Sequence, residues 1–513
     1  MPTTSKQIGI VTARSAETIV ARIDGLETFE GEKANLQVGR YLKIAEGNTD
    51  FVIAVIRNVK GTSAQMEGKL VWTFDVECQP VGTLVNGTEF SRGSTLLPVP
   101  LEPVFSVGRD TLDLIFAASA RFNHALAPLS MNKEIDLMID GNGFFGKHVA
   151  IVGSTGSGKS STVARILQDI VGIDNGSNLH IEAQRNSHIV IFDIHAEYRR
   201  AFELDKEQAF TLNVLDVDTL ALPYWLMNAE ELESLFIESN EQNSYNQVSQ
   251  FKHAVIANKE RHNPSVRDMT YDCPVYFSID EVHRFIENVN REVISKLKGE
   301  EKPKLADKTL VENREDLYFD KLLDFVPSTN ATLDKASNGP FHGEFNRFSS
   351  RLQTTLADKR LNFLLRPMRE DGKPYATADF EEIIKQFLGY INKSNVTIID
   401  LSGIPFEVMS IVVSLVSRLV FDFCFHYSKL RHVEGGLNDV PVMVVCEEAH
   451  NYVPQSDIAA YKSSRKSIER IAKEGRKEIW PESDDRQSET IGSFRNHLCT
   501  MQQFHISSTD QQQ

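Results

Sequence analysis

The 513 residues are 41% hydrophobic and 25% charged, a composition that fits about two to four globular domains and excludes a single small one. With 71 acidic and 55 basic residues the formal charge is -16, so the surface as a whole cannot coat nucleic acid, and any such contact needs a local basic strip or a pore. The N-terminus MPTTSKQIG lacks a signal-peptide core, no apolar run reaches the roughly eighteen residues of a membrane span, and Cys78, Cys273, Cys424, Cys446 and Cys499 show no C-x-x-C spacing. These features argue against secretion, a membrane span, a zinc site and a disulfide framework, and leave a cytoplasmic protein as the expectation.

From Ile8 to about Val107, short β-rich runs such as FVIAVIRNV and KLVWTFDV alternate with Gly and Pro turn signals and predict a small antiparallel barrel over residues 1–107. Gly108 to Lys147 has helical stretches and leads into the apolar run Val149 to Val152. Gly153, Ser154, Thr155, Gly156, Ser157, Gly158, Lys159, Ser160 and Ser161 follow, and then an amphipathic helical pattern, so G-x-x-x-x-G-K-[ST] falls where a strand turns into a helix. The glycines let the backbone wrap a polyphosphate with its N–H groups turned inward, and the helix adds the positive end of its dipole. Lys159 is then expected to pair the β/γ phosphates and Ser160 to take Mg²⁺.

Asn186 to Phe202 reads as a buried strand ending in Asp193, His195 and Glu197. Groups just past the carboxyl end of such a strand fall at the ligand edge of an open α/β sheet, which makes Asp193 and Glu197 candidates beside the nucleotide. The alternative is that Asp193 caps the next turn and His195 packs locally. Residues 108–222 thus form the first part of the core, and 223–385 an insertion of mainly helical pattern, with Lys298 to Lys308 and Pro327 to Pro340 as polar linkers. Within it VYFSIDEVHRF imitates an acidic ATPase motif; because the pattern continues as a helix it is read as a decoy, with Asp280 as N-cap and Glu281 in the first turn.

The core resumes over 386–477. Val396 to Ile399 reads as a strand, Asp400 to Gly403 as a turn, and the apolar run to Phe423 as a core helix, interrupted by Ser410, Ser414, Ser417, Arg418 and Asp422. Val442 to Cys446 is an apolar strand followed by Glu447 and Glu448. In a phosphate-loop ATPase one acid there holds Mg²⁺ and the next polarises the attacking water, which assigns the metal to Glu447 and catalysis to Glu448. The next helix carries Lys462, Arg465, Lys466, Arg470, Lys473, Arg476 and Lys477, a strip suited to a neighbouring subunit's γ-phosphate or to DNA, or else a solvated face.

The loop after HVAIVG, the FDIHAEY, IIDLSG and CEEAH strands and the ERIAKEGRK helix, in that order behind a β-barrel, resemble HerA-type hexameric DNA translocases of the HerA/FtsK superfamily. The resemblance implies an α/β fold: a RecA-like P-loop ATPase core, with the N-terminal barrel serving assembly or partner docking and the helical insertion interrupting the core. It implies ATP and Mg²⁺ as ligands, double-stranded DNA as partner and a homohexamer, with no membrane. It also implies a partner nuclease or an effector of antiviral defence, or a role in DNA repair. Basic residues acting like arginine fingers between subunits would be Lys147 before the loop and Arg470 and Arg476 in the helix. A competing reading is an ATP-binding ring scaffold that recruits and activates a nuclease or effector with little motor activity; a small-molecule kinase is disfavoured because nothing resembles an acceptor lid.

After Lys477 the resemblance stops. Trp480 and Pro481 require TGG CCN, and a one-nucleotide shift makes a glycine where the family has one, so 478–513 is expected to be a frameshifted, polar tail without a core strand, leaving a sheet edge exposed and hydrolysis weak.

Overall fold

The computed structural model describes residues 7–15, 17–47, 49–66, 69–93, 97–116, 123–130, 132–140, 144–145, 147–173, 187–204, 209–237, 244–433, 440–454, 461–474 and 499–505. The chain divides into two units, Met1–Gly141 and Asn142–Gln513.

In the first unit, strands β1 (Gln7–Arg14), β2 (Ile19–Asp24), β3 (Tyr41–Glu46), β4 (Asp50–Met66), β5 (Lys69–Val85), β6 (Glu89–Arg92) and β7 (Pro103–Ser106) form one sheet in the order β2-β1-β7-β3-β4-β5-β6. Antiparallel pairing of β2 with β5, from Ile19 opposite Cys78 to Asp24 opposite Thr73, closes six of them into a barrel, with β6 appended to β5. Closure removes the open edges that β2 and β5 would otherwise present. Period-two alternation supplies the core: β2 buries Ile19, Ala21 and Ile23 and exposes Arg22 and Asp24. Residues 108–147, expected to carry helical stretches, hold the helix Arg109–Phe116 and then a hairpin of β8 (Asn123–Leu129) and β9 (Asn132–Asp140). The physical reason is again period: in NKEIDLMID, Ile135, Leu137 and Ile139 fall at every second position, with Glu134, Asp136, Met138 and Asp140 between and around them, which suits a strand.

The second unit is built on a six-stranded parallel sheet. Its strands are β10 (Val149–Gly153), β11 (His188–Asp193), β12 (Thr211–Leu215), β15 (Asn395–Asp400), β16 (Val442–Cys446) and β17 (Cys499–His505), in the order β10-β17-β16-β11-β15-β12. Every residue of β11 and β16 is buried, as expected for parallel strands covered on both faces. β10 lies at the edge, and its Val152 is 57% exposed. The expectation of a tail without a core strand is corrected by β17, which pairs in parallel with both β10 and β16. Backbone groups flanking a missing strand would lack partners, and a ladder between main chains accepts almost any sequence free of proline.

Between β12 and β15 the chain is mainly helical, with Ala229–Phe236, Ser244–His262, Ile279–Arg291, Asn346–Ala357 and Phe380–Leu388 packing into the same apolar core as the sheet. The segments read as linkers are tied down: β13 (Val293–Ser295) pairs with β14 (Ala336–Asn338), and bridges join Lys304 to Leu310 and Leu305 to Phe325. Lys304, buried, lies 3.6 Å from Asp334. Proline and glycine there set turns, and local bridges satisfy the backbone. Asp280 is not the N-cap of its helix; Ser278 is, with extended backbone (φ -96°, ψ 109°) and a side chain accepting from the Glu281 N–H at 3.4 Å. Asp280 and Glu281 occupy the first turn, and Asp280 pairs with Arg366 at 3.2 Å.

The longest helix, Phe406–Val433, contains a stretch long and apolar enough to cross a membrane, of which 78% of the most apolar window is buried in the protein. One buried ion pair locks it to its neighbours. Glu231, fully buried, accepts from Arg418 Nη2 at 2.8 Å, from the Ser414 hydroxyl at 2.8 Å and from the Asn228 N–H at 3.0 Å. Removing one partner of such a pair strands a charge in the core. Arg418→Met is therefore expected to lower unfolding free energy by about 3 kcal/mol in urea titrations, with Glu231→Gln restoring part of the loss in the double variant. A loss below about 1 kcal/mol, the size for an exposed pair, would show that the pair is solvated.

Candidate nucleotide-binding site

The parallel register brings the carboxyl ends of the strands to one edge. Asp193 lies opposite Asp400, Phe192 opposite Cys446, and Gly153 opposite His505. The turn from β10 into the helix Lys159–Val171 runs through Gly156 (φ 78°) and Gly158 (φ 89°), left-handed conformations that side chains disfavour. A Cβ on Gly153 would sit 2.4 Å from Ser157 Oγ, whereas Cβ atoms on Gly156 and Gly158 would meet nothing within 4 Å. The loop is thus tight at its base and open at its crown. Ser154 to Gly158 and Ser161 are exposed, Ser160 is half-buried and Lys159 is buried.

Lys159 Nζ donates to Ser154 O at 3.4 Å and lies 3.7 Å from Glu448 Oε1. Glu448 has a left-handed backbone (φ 44°), an unusual state for a residue other than glycine, and its Oε2 lies 3.4 Å from His450 Nδ1. Glu447 is buried; its Oε2 accepts the Ile194 N–H at 2.9 Å, and its backbone O accepts the Tyr452 hydroxyl at 2.9 Å. Asp193, fully buried, accepts from the Glu197 and Tyr198 N–H groups at 3.1 and 2.9 Å, so its carboxylate organises the turn after β11, while the Glu197 side chain is exposed. Burial, and then the neighbouring Asp193, push the Glu447 carboxyl up to about 8, against the opposing pull of the Ile194 N–H.

Among the described residues no three His, Cys, Asp or Glu side chains form a group able to hold a metal ion. The Ser160 hydroxyl and the Glu447 carboxyl are hard oxygen donors of the kind Mg²⁺ takes together with phosphate and water. The other residues singled out from the sequence are less centrally placed. Arg470 Nη1 donates to Asp422 at 3.0 Å and its Nε to Glu474 at 3.0 Å, and its guanidinium lies 4.4 Å from the centre of the Phe421 ring. Lys147 is exposed just ahead of β10, and Arg476 and Lys477 lie outside the described residues. His195 is exposed at the same edge, its N–H 3.5 Å from Glu447 Oε2. Asp400 and His450 also stand at this edge although the sequence reading assigned them no site role; the signal available was that Asp400 ends the IIDLSG strand and His450 follows the CEEAH strand by four residues.

With this geometry in hand, comparison with known proteins adds a decisive match: residues 126–420, more than half of the chain, fit the family model described as the central domain of helicase HerA. The chain belongs to the HerA family. A probable helicase of Methanocaldococcus jannaschii is 21% identical over 386 residues, covering 75% of this HerA-family chain and 58% of the archaeal protein. An uncharacterized protein of Aquifex aeolicus is 27% identical over 101 residues, 19% of this chain and 34% of that one. The chain thus spans little more than half the length of the first relative and about a third of the second. Among solved structures, the bacterial conjugative coupling protein TrwB, unbound, is 11% identical at a TM-score of 0.35, over 78% of this chain and 69% of that one. TrwB in complex with a non-hydrolysable ATP analogue is 12% identical at 0.35, over 77% and 71%. No residue role is carried across at that distance.

A carboxyl raised above its unfolded value favours the folded state while neutral. The Glu447 contribution is complete below about 4.5, its ordinary value, and is lost as pH climbs through about 8. The melting temperature of the nucleotide-free protein should therefore fall as pH rises from about 4.5 to about 8, and Glu447→Gln should flatten that slope. A slope the substitution leaves unchanged would mean that Glu447 is already ionised at neutral pH.

Proposed function

We propose that this chain is an ATP-hydrolysing motor that acts on double-stranded DNA as a cytoplasmic homohexameric ring, with a partner nuclease or a defence or repair effector. The observation that carries the reading is the 3.7 Å approach of Lys159, at the end of the glycine-rich loop, to Glu448, at the end of β16. A cation for phosphates and an acid for an attacking water meet at one sheet edge, as phosphoryl transfer to water requires. Membership of the HerA family supports the same class of activity. In this reading the barrel serves assembly, and the helical segment 223–385 is an insertion in a RecA-like core.

The backbone of Gly153 to Gly158, with Ser161, cradles the phosphates of ATP. Lys159 exchanges Glu448 for the β/γ phosphates. Ser160 and Glu447 would hold Mg²⁺, which when bound neutralises charge on the phosphates. Asp193 fixes the turn that presents the Ile194 N–H to Glu447, and Glu197 stands exposed beside it. Glu448, once free of Lys159, orients the attacking water and accepts its proton. A basic group from an adjacent subunit, with Lys147, Arg470 and Arg476 as the candidates, completes the charge complement; Arg470 does so only by leaving Asp422 and Glu474.

Lys159→Ala should reduce DNA-stimulated phosphate release by on the order of a hundredfold or more, and unchanged release would overturn the assignment. A second reading, a ring scaffold that binds ATP mainly to recruit an effector, draws on the same ion pair, because it ties Glu448 to Lys159. Glu448→Gln separates the two: a motor loses effector activation together with hydrolysis, and a scaffold keeps activation after hydrolysis is gone.

A further inference from the structure

The helix Asn346–Ala357 has an unusual surface for a chain of 71 acidic and 55 basic residues. From Phe345 to Ala357 there is no Asp or Glu. Phe348, Ser349, Leu352 and Leu356 are buried, which turns Arg347, Ser350 and Gln353 to solvent. Ser350 and Thr354 line two adjoining grooves, of about 530 and 660 Å³, the first also walled by Arg347 and the second by Arg360. Among the described residues no carboxylate pairs with Arg347 or with exposed Lys359, just past the helix. Asp358, the one acid on the wall of these grooves, is consumed locally, with its carboxylate held by Arg360 at 2.7 Å. Arg351 is fixed in place, donating to Phe236 O at 3.0 Å.

We propose that this face binds the sugar-phosphate backbone of double-stranded DNA without reading its sequence. Arg347 near one end of the helix and Lys359 just past the other bracket in sequence a run of neutral hydroxyl and amide groups, the set of side chains that contacts phosphate oxygens, and the one acid on the groove walls is held by Arg360. No aromatic ring is exposed among residues 346–361, so there is no platform on which unpaired bases would stack. A motor that moves along a duplex needs contacts that hold any sequence equally, and this face offers those. The inference rests on the DNA-motor reading and adds to it the surface that would hold the duplex.

The test uses the full chain and a short fluorescein-labelled duplex of mixed sequence, followed by anisotropy over a range of salt. Arg347→Gln with Lys359→Gln should weaken binding about tenfold or more and make the dependence of log affinity on log salt shallower by roughly 1.8, close to 0.9 for each phosphate no longer neutralised. Gln353→Glu, an isosteric change on the exposed face, should weaken binding with no change in melting temperature, which separates electrostatic repulsion at this face from unfolding. If the unaltered chain binds no duplex, the motor reading itself fails. If the unaltered chain binds and both variants bind equally well with the same salt slope, the motor reading stands and this surface is wrong. An equal weakening from Lys33→Gln with Lys69→Gln, exposed in the barrel unit, would attribute the effect to overall charge and likewise overturn the proposal, as would tighter binding of single strands than of duplex.

Discussion

The parallel register of β11 with β15 and β16 sets the position of the acidic groups in the site. A slip of one residue would turn each side chain to the opposite face of the sheet. With Phe192 opposite Cys446, the next residue on one strand, Glu447, meets the backbone of the other at the Ile194 N–H. One residue further on, the chain leaves the strand in a left-handed turn that aims Glu448 at Lys159. The register in turn depends on buried apolar runs long enough to bind on both faces, and β11 and β16 have them.

Charge satisfaction explains the pairing of Lys159 with Glu448. Lys159 is buried at the start of a helix, where the dipole already disfavours a cation. Glu448 compensates it at 3.7 Å, and a polyphosphate would compensate it better, because it also satisfies the inward N–H groups of the loop. The same logic of paired burial recurs between Arg418 and Glu231, where the pair fastens the longest helix to the helical region. The site and the scaffold behind it are thus held by similar interactions in different settings: one lies beside the exposed glycine-rich loop and the other is sealed in the core.

The acidic excess of the chain is unevenly distributed. On the Lys462–Glu474 helix the basic strip is largely neutralised within the chain, Arg465 and Lys473 by Glu469, Lys466 by Glu230, and Arg470 by Asp422 and Glu474. Cations that look available in a linear sequence are therefore spent on packing the helix. The helix Asn346–Ala357 is the converse, modest in charge by composition, with no Asp or Glu of its own and with the neighbouring Asp358 held by Arg360. Local pairing, more than the count of basic residues, decides where a polyanion can approach.

Period and motif were sufficient for the barrel strands, the phosphate loop between β10 and its helix, the strand before Glu447 and Glu448, and the helical character of the VYFSIDEVHRF segment, because each depends on spacing within a few residues of itself. What the linear pattern could not supply was pairing between distant segments. Ser278 caps where Asp280 was expected, because the backbone leaves the extended region two residues earlier. β17 forms in a polar tail because the gap between β10 and β16 offers main-chain partners, a demand invisible to side-chain hydrophobicity. Asp400 joins the site edge beside Asp193, and Arg470 is drawn into an ion pair with Asp422, through pairings of residues far apart in sequence. Local propensity acts through neighbours along the chain, and only the folded sheet brings Lys159 and Glu448, 289 positions apart in numbering, to ion-pairing distance.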